Sequence, residues 1–463
     1  MLPILFSILV PASIGFFFVS IVLKDSKILS RNNLFKVCLG TGIGFGITSY
    51  LFFIWCVIFG PACRGYFIIE ALLLASLIII HCSTSRKGLP GAGGKHDAPG
   101  KRNILHKLLE PCFYLSAIGA AVTLSILSLL NPHGSWDAWM TWNLHAKFIF
   151  LGGEHWKGIF APALAWSHPD YPFLIPAAIA RCWIFIGRGT TVIPATVSIL
   201  FTLATAGTLT AALIIMRGRS QGFLAGMVLL ATPFFITQGA AQYADIPAAF
   251  FYLATVVLLC LWDNSAPAAN GLPLLAGLTA GFSGWTKNEG LLFLTAIIVA
   301  RAFARIIIRR ERKSYLKETL YFFAGAIPIL LLIIYFKSAL ATHSDLLSDR
   351  TIGLAVKNLA DLPKCRLILS EFFNTAMNFG QWRGPFMPLL FFCALLFGIK
   401  VRVKERPVFA AILAAAFMML AGYFFIFLTT PYGVEWHMGT ALDRLFLQLW
   451  PCIVFIYFLA TLA

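Results

Sequence analysis

Ile246-Pro247-Ala248-Ala249-Phe250-Phe251-Tyr252-Leu253-Ala254-Thr255-Val256-Val257-Leu258-Leu259-Cys260-Leu261-Trp262 runs without a charge, and Asp245 stands immediately before it. Such a stretch suits the hydrocarbon core of a bilayer, which a helix of about 20 apolar residues crosses. Similar runs occupy 2–23, 37–59, 66–82, 112–130, 190–216, 221–238, 271–286, 290–308, 319–336, 385–399, 407–429 and 445–462. The expected fold is therefore an all-α polytopic membrane protein with about 13 transmembrane helices. Composition agrees: 59% of the 463 residues are apolar and 12% charged, against about 45–50% and about 25% in soluble domains. So few charges cannot coat a water-facing surface. Soluble enzymes, disordered scaffolds and nucleic-acid readers are excluded as readings of the whole chain. Most of the ten cysteines sit in apolar runs such as Phe391-Phe392-Cys393-Ala394. There they read as small hydrophobes, not as disulfides or zinc ligands.

Charge gives the orientation. The net charge is +17, which in a membrane protein points to cytoplasmic loops facing anionic lipid. Lys24, Lys27, Arg31 and Lys36 follow the first run and no basic residue precedes it. The N-terminus is thus expected outside and residues 24–36 inside. Alternating from there, the inside connections hold 23 of the 36 Lys and Arg residues. Residues 172–187 are short for a span and are interrupted by Pro172, Pro176 and Arg181. The charge tally lays them along the outer interface, or makes them re-enter. The Gly-rich basic stretch 83–104 reads as a flexible cytoplasmic linker. It sets a three-span unit, residues 1–110, apart from 111–463, which carries the outside loops 131–189 and 337–384.

With this topology 11 of the 19 acids face outside, many at helix ends. Ionisable groups gathered at one membrane depth point to an interfacial site. Asn131 to Lys147 carries Trp136, Trp139 and Trp142 at spacing three, with Asp137 beside them. On a helix the tryptophans share a face, where they anchor the chain at headgroup level or stack on a sugar. Asp137 needs a partner, either Lys147 or a base from elsewhere. His168-Pro169-Asp170-Tyr171-Pro172 is a rigid corner, with His168 open to a metal, proton-shuttle or strut role. Gln242-Tyr243-Ala244-Asp245-Ile246-Pro247 is, taken alone, a plain helix start. Trp285-Thr286-Lys287-Asn288-Glu289-Gly290 is a tight polar turn. In it Lys287 and Glu289 either neutralise each other or leave Lys287 to bind phosphate. Glu435-Trp436-His437 and Asp443-Arg444 precede the last run. There Arg444 either pairs with Asp443 or clamps a phosphate. Glu70, inside the third run, reads as a polar contact without an evident partner.

These landmarks, in this order, resemble the GT-C superfamily of lipid-linked-sugar glycosyltransferases. They look most like its family 39-type branch of protein mannosyltransferases and lipid A aminoarabinose transferases. Asp137 matches the acid of that family's first long outside loop. His168-Pro169-Asp170-Tyr171-Pro172 is similar to its His-Pro-Pro-Leu-type corner, from which Asp170 departs. Tyr243-Ala244-Asp245 resembles its second acidic position. Gly284-Trp285-Thr286-Lys287-Asn288-Glu289-Gly290 looks like its Thr-Lys turn. Asp443-Arg444-Leu445-Phe446-Leu447-Gln448-Leu449-Trp450-Pro451 is similar to its Arg-Leu-Leu-x-x-x-Pro motif. The likeness covers roughly 112–460, and the three N-terminal spans depart from the simplest family pattern.

The resemblance implies a GT-C-like fold with outward-facing interfacial helices in the inner membrane of a prokaryote, its active site facing the non-cytoplasmic side. It implies transfer of a sugar from a polyprenyl-phosphate donor to a glycan, lipid or protein acceptor, with inversion. Asp137 would be the base. Lys287 and Arg444, assisted by His437 or Lys147, would hold the donor phosphate. Trp136, Trp139, His168, Asp170, Tyr171, Tyr243, Asp245, Glu289 and Asp443 would position substrates. Paired acids permit a divalent cation such as magnesium or manganese without requiring it. The loop bearing Trp382 and Arg383 would order over the site on donor binding. The rival readings are a lipid-linked glycan polymerase or ligase, a lipid or small-molecule transporter, and a non-catalytic scaffold.

Overall fold

The computed structural model describes residues 2–26, 28–62, 64–86, 104–264, 269–308, 312–342 and 358–461. The chain begins with α1 (Leu2–Val22), α2 (Asn33–Phe59) and α3 (Tyr66–Arg86), and α4 (Ile104–Leu130) follows. Most of the basic linker, residues 87–103, lies outside the described residues. A π-helical turn, Ala138–Trp142, runs into α5 (Asn143–Leu151), and two 3-10 turns lead to α6 (Leu174–Ile186). Then come α7 (Val192–Met216), α8 (Arg219–Leu230), α9 (Pro233–Ala240), α10 (Asp245–Asn264), α11 (Gly271–Thr286) and α12 (Glu289–Ala302). The last five are α13 (Arg312–Ala339), α14 (Leu362–Asn378), α15 (Phe386–Phe397), α16 (Arg406–Thr429) and α17 (Val434–Ala460).

All thirteen apolar runs are helical. Among the described residues nine helices (α1 to α4, α7, α10, α13, α16 and α17) are long and apolar enough to cross a membrane. The pair α8 and α9 adds a tenth if taken together, bent by 63° where Pro233 interrupts the helical ladder. The runs at 271–286, 290–308 and 385–399 give the shorter α11, α12 and α15. The protein is a multi-pass helical membrane protein by length and composition. Its periphery agrees: Ile68, Leu72 and Ile79 on α3, and Leu115, Ile118 and Leu129 on α4, are exposed. Such continuous apolar surface is stable against lipid and a liability in water.

At the centre stands α10, buried from Asp245 to Trp262. A helix apolar all round belongs inside a bundle. The N-terminal unit is part of the same core. A side chain at Gly15 would meet the Gly40 carbonyl at 1.8 Å, and one at Gly44 would meet that of Pro11 at 1.9 Å. Glycine alone lets α1 and α2 approach so closely, as small residues do between membrane helices. On its other side α2 receives the Phe250 ring of α10 at Gly42 and the Phe282 ring of α11 at Gly46.

Residues 172–187, expected along the outer interface or re-entering, form a helix packed inside the bundle. The helix α6 is buried from Leu174 to Ile184, and its 13 residues span about 20 Å, short of a bilayer core. Its Arg181 is fully buried and meets Glu70 of α3 in a two-pronged ion pair, with Arg181 Nε donating to Glu70 Oε1 at 2.9 Å. Arg181 also donates to the Ser7 carbonyl of α1. Glu70 thus has a partner more than a hundred residues away, and the N-terminal unit holds the corner helix in place.

Much of the 337–384 connection is also packed. Phe372 of α14 sits against Phe424, Phe427 and Phe446, and the Gly380 carbonyl accepts from the Phe234 amide at 3.1 Å. Its residues 343–357 lie outside the described residues. Removing one partner of a buried ion pair leaves an uncompensated charge, at a cost of about 3–5 kcal/mol. Glu70→Ala should therefore lower the melting temperature of the detergent-solubilised protein far more than the paired change Glu70→Leu with Arg181→Met. Equal losses would show that the pair carries no mutual stabilisation.

A charged candidate site at one end of the bundle

Asp245, the first residue of α10, is 0% exposed. A carboxylate so placed must be compensated, and four donors do so. Lys287 Nζ and Gln448 Nε2 donate to Oδ1 at 2.9 and 2.8 Å. Arg444 Nε and Nη2 donate to Oδ2 at 3.0 and 2.9 Å. The amide of Gln448 is in turn fixed by the hydroxyls of Tyr252 and Tyr423, which donate to its Oε1 at 3.4 and 3.5 Å. The helix-start reading of Asp245 is too modest: its side chain is the hub of an ionic network.

Two further acids share the same cations. Arg444 Nη2 lies 2.7 Å from Asp137 Oδ2, and Lys287 Nζ lies 3.0 Å from Glu289 Oε1. Arg444 stacks over the Tyr243 ring at 4.5 Å, and the Tyr243 hydroxyl accepts from the Asp137 amide at 3.2 Å. Lys287 lies 5.8 Å from the centre of the Tyr171 ring. Burial alone would lower the pKa of Lys287, but the carboxylates of Asp245 and Glu289 outweigh it and raise it above the usual lysine value. It stays charged. Burial also raises the Tyr243 hydroxyl, so that tyrosine stays neutral.

The corner adds a second layer. Asn288 Nδ2 donates to Asp170 Oδ2 at 3.0 Å, and Lys337 Nζ, at the end of α13, donates to Asn288 Oδ1 at 2.7 Å and to the Asp170 carbonyl. Beneath it the Phe53 ring of α2 meets Phe173 and Trp285 at 5.5 and 5.0 Å. The first long loop is fastened by Gln242. Its Nε2 donates to the Pro132 carbonyl at 3.2 Å, and its Oε1 accepts from Asn143 Nδ2 at 3.1 Å. Gln242 has φ +62°, a conformation that non-glycine residues adopt rarely.

The network thus unites Asp137, Tyr171, Tyr243, Asp245, Lys287, Glu289 and Arg444, with Asp170 alongside. Other expected site residues fall elsewhere. Arg444 does not pair with Asp443, because adjacent helical residues point apart; α17 begins at Val434, so Asp443 faces outward. Lys147 is exposed. His437 Nδ1 is 2.8 Å from Thr430 Oγ1, and its ring packs on Phe427. His168 is exposed, edge-on to Tyr171. The three tryptophans do not share a face. The wider winding of the π turn sends Trp142 inward, to 1% exposure, and leaves Trp136 and Trp139 paired outside at 4.6 Å. Gln448, Lys337 and Asn288 join the site without a role assigned from the sequence; Gln448 sits one helical turn after Arg444, a spacing that places both on one face.

Among the described residues no group of three or more His, Cys, Asp or Glu side chains is arranged to hold a metal ion. Asp137, Asp245 and Glu289 are each turned to Arg444 or Lys287 instead of converging on a common centre. The fold and site define a multi-pass membrane protein with a buried ionic hub at one bundle end. No family model matches the chain, and no curated protein or solved structure matches it either.

Asp245→Ala would strand Lys287 and Arg444 without their shared counterion, so it should cost about 3–5 kcal/mol and sharply lower the melting temperature, whereas Asp245→Asn should cost less. A melting temperature unchanged by Asp245→Ala would remove it as the hub. His145 supplies a pH signal. It is fully buried, its Nε2 is 3.0 Å from the Ser167 carbonyl, and burial drops its pKa from 6.5 to about 3. The unfolded chain takes up a proton below about 6.5 while the folded one does not. Stability from neutral His145 is therefore full above that pH and fades as pH falls toward about 3. His145→Asn should flatten the melting-temperature profile between pH 6.5 and 5; an unchanged slope would assign it to other histidines.

Proposed function

We propose that the protein is an integral membrane glycosyltransferase that moves a sugar from a polyprenyl-phosphate donor to an acceptor hydroxyl or amine at the non-cytoplasmic face. The observation that carries this reading is the contact of Asp137 with Arg444, 2.7 Å apart, while Asp245 fixes Arg444 and Lys287 side by side. A candidate base and two candidate phosphate clamps, from three distant parts of the sequence, meet at one place.

The chemistry divides among them. The acceptor is a weak nucleophile, and Asp137 takes its proton as the new bond to the anomeric carbon forms. The bond from that carbon to the phosphate oxygen breaks, and its electron pair leaves with the polyprenyl phosphate. Negative charge grows on the departing phosphate, where Arg444 and Lys287 supply opposing charge. Single displacement inverts the anomeric centre. Glu289 and Tyr171, both beside Lys287, would orient the acceptor.

A lipid-sized apolar cavity lies elsewhere along α17. Met387, Leu390 and Phe391 of α15, with Trp450, Ile453 and Tyr457 of α17, line a cavity of about 610 Å³. It opens along α17 beginning six residues beyond Arg444, about 9 Å along the axis. In this reading the chain crosses the membrane thirteen times, and the ionic hub faces the outside. The opposite end of α10, where Asp263 meets Arg301 and Arg305, lies in the cytoplasmic leaflet, as the positive-inside rule favours.

Asp137→Asn should reduce transfer by about 10²–10⁴-fold with a melting temperature near wild type. Mass spectrometry of lipid-linked and surface glycans, comparing cells that express wild type, Asp137→Asn or no copy, would read this as one missing sugar mass in the latter two. Identical glycan profiles in all three would remove the glycosyltransferase reading.

A further inference from the structure

We propose that Asp137 and the donor phosphate are rival ligands of the Arg444 guanidinium, so that the base is released only when the lipid phosphate arrives. This rests on the glycosyltransferase reading and adds its regulation.

In the hub itself the acids outnumber the cations. Three carboxylates, from Asp137, Asp245 and Glu289, are paired with two cations, Lys287 and Arg444. A phosphate arriving at Arg444 therefore meets surplus negative charge unless a carboxylate gives way, while Lys337 stands in the second layer, donating to Asn288 and to the Asp170 carbonyl. Asp245 cannot: it is wholly buried and accepts four hydrogen bonds. Its departure would leave charges stranded in a site of low dielectric. Glu289 pairs with Lys287, whose side chain is only 5% exposed, beyond easy reach.

Asp137 is different. Its side chain is 31% exposed and that of Arg444 is 18% exposed, which makes this pair the outermost of the network. Among the described residues Arg444 is the ion-pair partner of Asp137. The Asp137 backbone is tied separately, through its amide to the Tyr243 hydroxyl. The carboxylate can therefore leave the guanidinium without the turn coming undone. Arg444 keeps its grip on Asp245 through Nε and Nη2 and presents its outer edge to the newcomer.

While paired, Asp137 Oδ2 is held against Arg444 Nη2, 2.7 Å away, and is turned to the guanidinium rather than to an acceptor. Phosphate, which guanidinium binds well, takes its place and frees the carboxylate beside the anomeric carbon. The acceptor is then activated only in a loaded site, and binding is ordered with donor first.

Binding of undecaprenyl phosphate to the detergent-solubilised full chain tests this, with undecaprenol as the uncharged control and melting temperatures as the check on folding. Asp137→Asn should bind the phosphate at least about threefold more tightly than wild type, in line with loss of one partly exposed competing pair. In an Arg444→Gln background, or Arg444→Lys should that fail to fold, Asp137→Asn should change nothing. Equal or weaker binding by Asp137→Asn overturns the rivalry and leaves the donor site standing. A gain that persists without Arg444 also overturns it, since the effect would then be general repulsion. If neither wild type nor Asp137→Asn prefers the phosphate over the alcohol, the donor reading falls, and the rivalry with it.

Discussion

Burying the Asp245 carboxylate constrains everything around it. A charge taken out of water needs excellent geometry and full hydrogen bonding to be tolerated. Asp245 obtains both only if α10, the turn after α11, and α17 come together at one level. Lys287, Arg444 and Gln448 are each committed to it. Lys287 and Arg444 then dictate where Glu289 and Asp137 can go, because those acids share the cations that Asp245 has already placed.

A comparable device sits at the far end of the same helix. Asp263 accepts from Arg301 and Arg305, and Glu318 joins them from α13. Eighteen residues separate Asp245 from Asp263, about 27 Å along a helix, close to the thickness of a bilayer core. The central helix is thus pinned by buried carboxylates at both ends while its middle is apolar. The two ends differ in exposure. Asp263, Arg301 and Glu318 are closed off, with side chains at most 3% exposed. The network at Asp245 reaches the surface through Arg444 and Asp137. The closed end is a lock, and the open end has groups available for chemistry.

The N-terminal helices matter to that open end. Their glycines bring α1, α2, α10 and α11 into close contact, and Phe53 of α2 supports Phe173 and Trp285, the residues next to the corner and to the Thr286-Lys287 turn. Glu70 clamps Arg181 on the helix that continues from that corner. The three-span unit, a departure from the simplest pattern the sequence resembles, is therefore part of the frame that positions the site.

Hydropathy made the helical membrane class legible, because a chain with so few charges has no other solvent. It also marked every apolar run as helix and singled out Asp137, Asp245, Lys287, Glu289 and Arg444 by their places at run ends. Pairing was legible within one turn, where Lys287 meets Glu289, but not between distant segments. Sequence proximity coupled Arg444 to Asp443 and left Glu70 without a partner, whereas helical rotation turns neighbours apart and packing joins residues more than a hundred positions distant. Winding was not legible either: a regular helix would align the three tryptophans, and one π turn buries Trp142 while leaving the other two outside. Local composition sets which residues must avoid lipid or water. Which of them meet depends on helix rotation and approach, and those follow from side chains on every neighbouring helix at once.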